Sequence, residues 1–196
     1  MTAERLDGRA LAKKMRAEMK RMMTDLRAEG VKPHLVSVQV GDDHVSEIYV
    51  HNQQRACRQI GVRFTRLHLD SDTTEEELIE HIWALNTNRS TTGVILQLPA
   101  PQHIDARKVQ SAIESMKDVE GVAPMNLGNL VLKGRRLPPC TPAAVMELLG
   151  ETGVTLEGAE VVLVGHSEIV GKPLALMLLD RLASVQVCHH GTRDLA

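Results

Sequence analysis

Val161-Val-Leu-Val-Gly-His-Ser-Glu-Ile-Val-Gly-Lys-Pro173 reads as a buried strand, a sharp turn and the opening of a helix. Four apolar residues in a row suit a strand covered on both faces. Gly165, Ser167 and Gly171 keep the turn small, so a phosphate could approach the backbone and meet the free N–H groups of the helix that follows. The spacing departs from G-x-G-x-x-G: serine stands at the second glycine position, and the next glycine comes one residue late. A tight strand-to-helix turn with no ligand would use the same residues. The helix is expected over Val170–Leu182, and Ser184–Cys188 begins another strand.

Upstream, the alternation repeats. Leu11, Met15, Met19 and Met22 recur at helical spacing and predict an amphipathic helix ending near Gly30. Leu35-Val-Ser-Val-Gln-Val40 reads as a strand running into Gly41-Asp-Asp, and Val45–Ile60 as a helix stopped by Gly61. Val62–Leu69 is the next strand, and a Thr-x-x-Glu capping box within Thr73–Glu77 opens a helix through Leu78, Ile82 and Leu85. Gly93-Val-Ile-Leu-Gln-Leu98 is a near-continuous apolar strand closed by Pro99. Strand, helix, strand, helix, strand is the order of a parallel α/β sheet, whose ligands sit beyond the carboxyl ends of the strands. From Pro99 to Pro142 prolines and glycines predict site-building loops and a domain boundary. Thr141 is then expected to N-cap a helix with Pro142 at its first position.

Composition narrows the function classes. The 196 residues carry a net charge of −2, which gives no pull toward nucleic acid or an anionic membrane. Tyr49, Phe64 and Trp83 are the only aromatic residues, too few for a base-stacking platform. No apolar run reaches the roughly 20 residues of a membrane helix. Met1-Thr-Ala-Glu-Arg-Leu-Asp7 lacks a signal-peptide pattern, so a cytoplasmic protein is expected. Cys57, Cys140 and Cys188 form no C-x-x-C pair and read as buried small apolar side chains. The nine histidines show no metal-ligand spacing, and no metal is expected, including at His189-His190.

Ser46, Tyr49 and Gln53 lie three and four residues apart and share one helix face beside a strand-end loop. Gln97-Leu-Pro99 stands at another strand end, and Lys117-Asp-Val-Glu-Gly121 follows as a charged turn. Taken with Pro139-Cys-Thr-Pro142 and the Gly165–Pro173 loop, these motifs resemble, in order, the bifunctional methylenetetrahydrofolate dehydrogenase/methenyltetrahydrofolate cyclohydrolase family. Val40 onward is similar to V-G-D-x-x-x-S-x-x-Y-V-x-x-K-x-K-A-C. Gly93–Pro99 resembles G-I-L-V-Q-L-P, Lys117–Gly121 resembles K-D-V-D-G, Pro139–Pro142 matches P-C-T-P, and the loop resembles G-R-S-x-I-V-G-x-P.

The resemblance implies a parallel-sheet folate-binding catalytic domain over residues 1–139, then an incomplete Rossmann-like dinucleotide domain over 140–196. It implies oxidation of 5,10-methylenetetrahydrofolate with NADP or NAD, then hydrolysis to 10-formyltetrahydrofolate, by a protein commonly dimeric. Tyr49, Gln53 and Gln97 take the catalytic positions. Ser46, Tyr49, Gln97, Pro99 and Glu120 would meet the folate. Thr141, Gly165, His166, Ser167, Val170, Gly171 and His190 would meet the cofactor.

Departures from the pattern bear on mechanism. Gln53 occupies the family lysine, and an amide neither carries charge nor takes up a proton near neutral pH. Arg55 holds the second basic position and is always protonated. Glu120 lengthens the family aspartate by one methylene. His166, His190 and Gly191 replace arginine, serine and lysine, so a 2′-phosphate would meet imidazoles rather than fixed cations. Only two strands of a dinucleotide domain are present where about six are typical, and a divergent member seen as a fragment is expected. A binding-only paralogue, or a different dinucleotide-dependent dehydrogenase, are the competing readings.

Overall fold

The computed structural model describes residues 5–132 and 137–193, apart from the Val45 side chain. The reading of Met1–Glu4 therefore lies outside the described residues. Contacts divide the chain into two compact units. One is Arg9–Val119, and the other joins the described residues of Met1–Gly8 and Glu120–Ala196.

The first unit is a three-stranded parallel sheet in the order β2-β1-β3, with β1 at His34–Val40, β2 at Arg63–Leu69 and β3 at Gly93–Leu96. Residues of β1 alternate. Val36, Val38 and Val40 join Val94 and Leu96 in a core completed by Leu78 and Ile82 of α3 (Glu75–Thr87) and Val109 of α4 (Ala106–Ala112). Each such side chain contributes about 1.5–3 kcal/mol by leaving water. The other face carries Ser37 and Gln39, both buried. β1 is the middle strand, paired with β2 on one side and β3 on the other, and is buried on both faces as parallel strands usually are.

Local chemistry sets the helix ends. Asp43 caps α2 (His44–Ile60) by accepting from the Ser46 N–H at 2.7 Å, and Gly61 closes it at φ 84°. The predicted capping box is formed by Thr74 and Glu77. Gly30, at φ 80°, ends α1 (Gly8–Ala28) with the Val31 N–H reaching Leu26 and its own N–H reaching Arg27, a Schellman pair. Lys117 caps α3 from outside, its ammonium donating to the carbonyls of Leu85, Asn86 and Asn88.

The second unit holds a two-stranded parallel sheet, β4 (Glu160–Val164) with β5 (Ser184–Cys188). Its described residues include α5 (Pro124–Leu132), α6 (Cys140–Glu151) and α7 (Gly171–Leu179). Leu163, Leu174, Leu178 and Ala183 form its core, with Val145 and Leu149 of α6 against it. At Gly121 (φ 69°) an added Cβ would stand 2.2 Å from the Leu137 carbonyl oxygen, so the turn after Glu120 accepts only glycine.

Four expectations change. The helix after Pro139 begins at Cys140, with Pro139 at the N-cap and no side-chain cap, so Thr141 is inside the first turn. Pro142 is tolerated there because the first N–H groups of a helix have no intrahelical acceptor. In α1, Met15, Met19 and Met22 are exposed, and Met23 is the buried residue, because the face that packs is rotated by one position. Cys140 is exposed by its place at the helix start, whereas Cys57 and Cys188 are buried. Val162 and Val164 are 63% and 71% exposed, since among the described residues the helices cover only the Leu163 side of β4. The proline-rich stretch also contains two short helices. Asp105 caps α4 by accepting from Arg107 and Lys108, and Pro124 opens α5.

His34 supplies a test. It is buried at the start of β1, with Nε2 2.8 Å from the Thr65 hydroxyl. Burial, then the nearby Arg63 charge, lowers its pKa below the ordinary imidazole value. The unfolded chain therefore takes up a proton that the folded chain refuses. The stabilisation is complete above the ordinary value and is lost as pH falls below it. Thermal midpoints at about pH 8 and about pH 5.5 should diverge more in the wild type than in His34→Gln. Identical pH slopes would refute this.

Candidate active site and nucleotide loop

Gln97 leaves β3 at its carboxyl end, tied to β1 by its own N–H donating to the Val38 carbonyl at 2.8 Å. Its side chain is 6% exposed and lies on the face of the sheet that carries Ser37. The amide Nε2 donates to Ser37 Oγ and to Gln53 Oε1, each at 2.9 Å. One planar group thus joins β1, β3 and α2. Ser46, in the first turn of α2, donates its hydroxyl to the Leu98 carbonyl at 2.9 Å and holds the Leu98–Pro99 segment, whose peptide bond is cis. Tyr49 lies between Ser46 and Gln53 along the same helix face and is 61% exposed.

Ser46, Tyr49, Gln53, Gln97 and Pro99 therefore gather at one end of the first unit. Glu120 is half-buried and belongs to the second unit. Ser37 was not singled out from the sequence, although the signal was there. A hydroxyl at the centre of a fully buried strand needs a partner, and on a parallel sheet that partner comes from a neighbouring strand end or the covering helix.

The contact between Gln53 and Gln97 pairs an amide donor with an amide acceptor. A lysine has only donors. Against lysine, Gln97 would have to present its oxygen, whereas against Gln53 it presents its NH2. The Ser37 hydroxyl can donate or accept, so it supports either orientation of the Gln97 amide.

In the second unit, Gly165, His166, Ser167, Val170, Gly171 and His190 line one cavity of about 480 Å³ beyond the carboxyl ends of β4 and β5. Thr141 is not among the residues lining it. The loop is closed tightly: a Cβ on Gly171 would stand 2.3 Å from the Gly165 carbonyl oxygen and 2.8 Å from His166 Cα. Gly171 donates its N–H to Ser167 Oγ at 3.3 Å, and Gly165 has φ 114°. A short loop with no side chain at its crossing, leading into a helix N-terminus, suits a pyrophosphate. A wider cavity of about 640 Å³ at the end of β2 is lined by Asp70, Asp72, Glu77 and Glu80, whose charges disfavour an anionic ligand.

Sequence profiles agree with both halves. The tetrahydrofolate dehydrogenase/cyclohydrolase catalytic domain matches residues 6–120, and the NAD(P)-binding domain of the same family matches 139–196. The chain belongs to the tetrahydrofolate dehydrogenase/cyclohydrolase family. It is 46% identical over 197 aligned positions to the bifunctional protein FolD of Moorella thermoacetica, covering 100% of this chain and 70% of that protein. The crystal structure of the bifunctional FolD of Campylobacter jejuni superposes with a TM-score of 0.94 at 40% identity, covering 97% of this chain and 68% of that one. The Trypanosoma brucei FolD, solved with NADP and an inhibitor, gives 0.90 at 34% identity, covering 98% and 66%.

The Gly171 crossing should tolerate no Cβ. Gly171→Ala is expected to cost about 1–3 kcal/mol, as overpacking against fixed backbone does. Gly150→Ala, in a helix with nothing within 4 Å of the new Cβ, should be neutral or stabilising. Equal thermal midpoints for the two variants would show that the Gly165–Gly171 loop yields freely.

Proposed function

We propose that this chain carries the folate site and the first part of the nucleotide site of an enzyme that oxidises 5,10-methylenetetrahydrofolate to 5,10-methenyltetrahydrofolate. Hydrolysis to 10-formyltetrahydrofolate is impaired. The bound cofactor, NADP or NAD, accepts the hydride. The folate half is assigned to residues 1–139 and the nucleotide half to 140–196, although the stretch after Val119 packs with the nucleotide unit. The observation that carries the reading is the Gln53–Gln97–Ser37 chain of hydrogen bonds.

Oxidation asks the protein mainly to position the methylene carbon. Tyr49, exposed on α2, and Gln97, fixed by two hydrogen bonds, offer the surface for that. Ser46 and Pro99 shape its edge, and Glu120 would accept from the amino groups of a pterin. Neither the Gln53 nor the Gln97 amide titrates near neutral pH.

Hydrolysis asks for more. Water adds to the methenyl carbon and loses a proton; the tetrahedral adduct then loses its hydroxyl proton to form the formyl C=O as one C–N bond breaks and that nitrogen is protonated. A group that gives and takes protons at the reacting centre is needed, and Gln53 does neither. The oxidation step is therefore retained and the hydrolytic step slowed.

In the nucleotide half, the Gly165–Gly171 loop would take the pyrophosphate. Thr141 and His190 are assigned to the rest of the nucleotide, His166 to the ribose side. With imidazoles in place of fixed cations, selectivity for NADP over NAD is expected to be small. A homodimer in the cytoplasm is the expected setting, by analogy with the family. Among the described residues no helix is long and apolar enough to cross a membrane.

Gln53→Lys in the full-length protein should accelerate methenyltetrahydrofolate hydrolysis, by up to the about 10²–10⁴-fold that a general acid–base group contributes. The Gln97 amide must turn over to face the new ammonium, and Ser37 permits it. Spectrophotometric hydrolysis rates with buffer background subtracted are the readout. A wild type as fast as the lysine variant would end the argument from Gln53.

A further inference from the structure

The pairing of β4 with β5 sets Val164 directly against Cys188. The residues leaving the two strands therefore emerge side by side, and both exits carry histidine: His166 from one, His189 and His190 from the other. The His166 and His189 rings meet edge-on with centroids 4.7 Å apart. His190 lies 5.6 Å and 5.7 Å from them. One ring nitrogen from each of the three lies within 4.8 Å of the others.

Apolar burial does not gather these rings, because His189 and His190 are exposed and His166 is half-buried. What the three share is a nitrogen lone pair. Imidazole nitrogens suit Zn2+, Ni2+, Co2+ and Cu2+ and not Mg2+ or Ca2+, which prefer oxygen. Three histidines with one open position are an established zinc ligand set. At Zn–N distances of about 2.0–2.1 Å, tetrahedral ligand nitrogens stand about 3.3 Å apart. The present cluster is wider by about 1.5 Å at most, a gap that rotation of exposed side chains can close.

His189 adds a constraint. Its Nδ1 accepts from the Gly191 N–H at 3.0 Å. Ligation through Nδ1 takes the lone pair that this bond uses. Ligation through Nε2 turns Nδ1 into a donor. Either way the Gly191 N–H is released, so metal uptake is coupled to a change at Gly191.

We propose that His166, His189 and His190 form a binding site for one transition-metal dication of the Zn2+ class, completed by water. The proposal does not rest on the nucleotide reading, since it needs only the strand register and the three rings. The test is calorimetric titration of the untagged full-length protein with Zn2+, alongside Co2+ absorption and the Gly191 amide resonance. The expected result is saturable one-to-one binding in the micromolar range, no response to Mg2+, and a shift of the Gly191 resonance on uptake. His166→Ala, His189→Ala and His190→Ala should each weaken binding by about tenfold or more while keeping the metal-free thermal midpoint. Cys140→Ser controls for the exposed thiol and should bind as the wild type does. Absence of saturable binding, binding that survives removal of all three histidines, or binding lost in Cys140→Ser would each overturn the proposal.

Discussion

The Gln97 side-chain amide holds three elements together at the end of the first sheet. It spans from β3 to the hydroxyl of Ser37 on β1 and to Gln53 on α2, each at 2.9 Å. Parallel pairing makes this possible, because it brings the carboxyl ends of both strands to the same edge. Burial makes it necessary, because an unpartnered hydroxyl or amide in that position costs about 1–3 kcal/mol. Tyr49, Ser46 and the Leu98–Pro99 turn take their places relative to that joint. The same arrangement bears on the chemistry: the two amides, Gln53 and Gln97, can hold and orient a substrate but neither ionises near neutral pH.

The second unit rests on a similar constraint. Two parallel strands end together, and the chain leaving β4 must turn at once into α7. Gly171 passes so close to the Gly165 carbonyl that a Cβ on Gly171 would stand 2.3 Å from its oxygen. The absence of a side chain at position 171 is thus a packing requirement of the turn itself. The glycine that matters is the one at the crossing.

Much of this was legible in the sequence. Strand positions emerged from apolar runs, and Gly30, Gly61 and the Thr74–Glu77 box marked helix ends that local chemistry alone dictates. Patterns depending on what packs against them were read less well. Met15, Met19 and Met22 have helical spacing, yet which side of α1 is covered is a tertiary matter, and Met23 is the buried residue. Val161–Val164 has the composition of a doubly covered strand, but coverage depends on elements elsewhere in the fold. Thr141 looked like a cap because threonine caps often, and the extended backbone of Pro139 took that role instead. His189 and His190 were visible as neighbours, whereas His166 joins them only through strand register. Ser37 could have been found by asking what a buried hydroxyl would bond.

The central claim is that oxidation and hydrolysis have come apart in this protein because Gln53 preserves position without proton transfer. Following reduced nicotinamide and methenyltetrahydrofolate together, in one reaction of the full-length enzyme with 5,10-methylenetetrahydrofolate, tests it most directly. The account predicts that methenyltetrahydrofolate accumulates in step with reduced cofactor and decays no faster than in enzyme-free buffer. Formation of 10-formyltetrahydrofolate at the rate of cofactor reduction would contradict it.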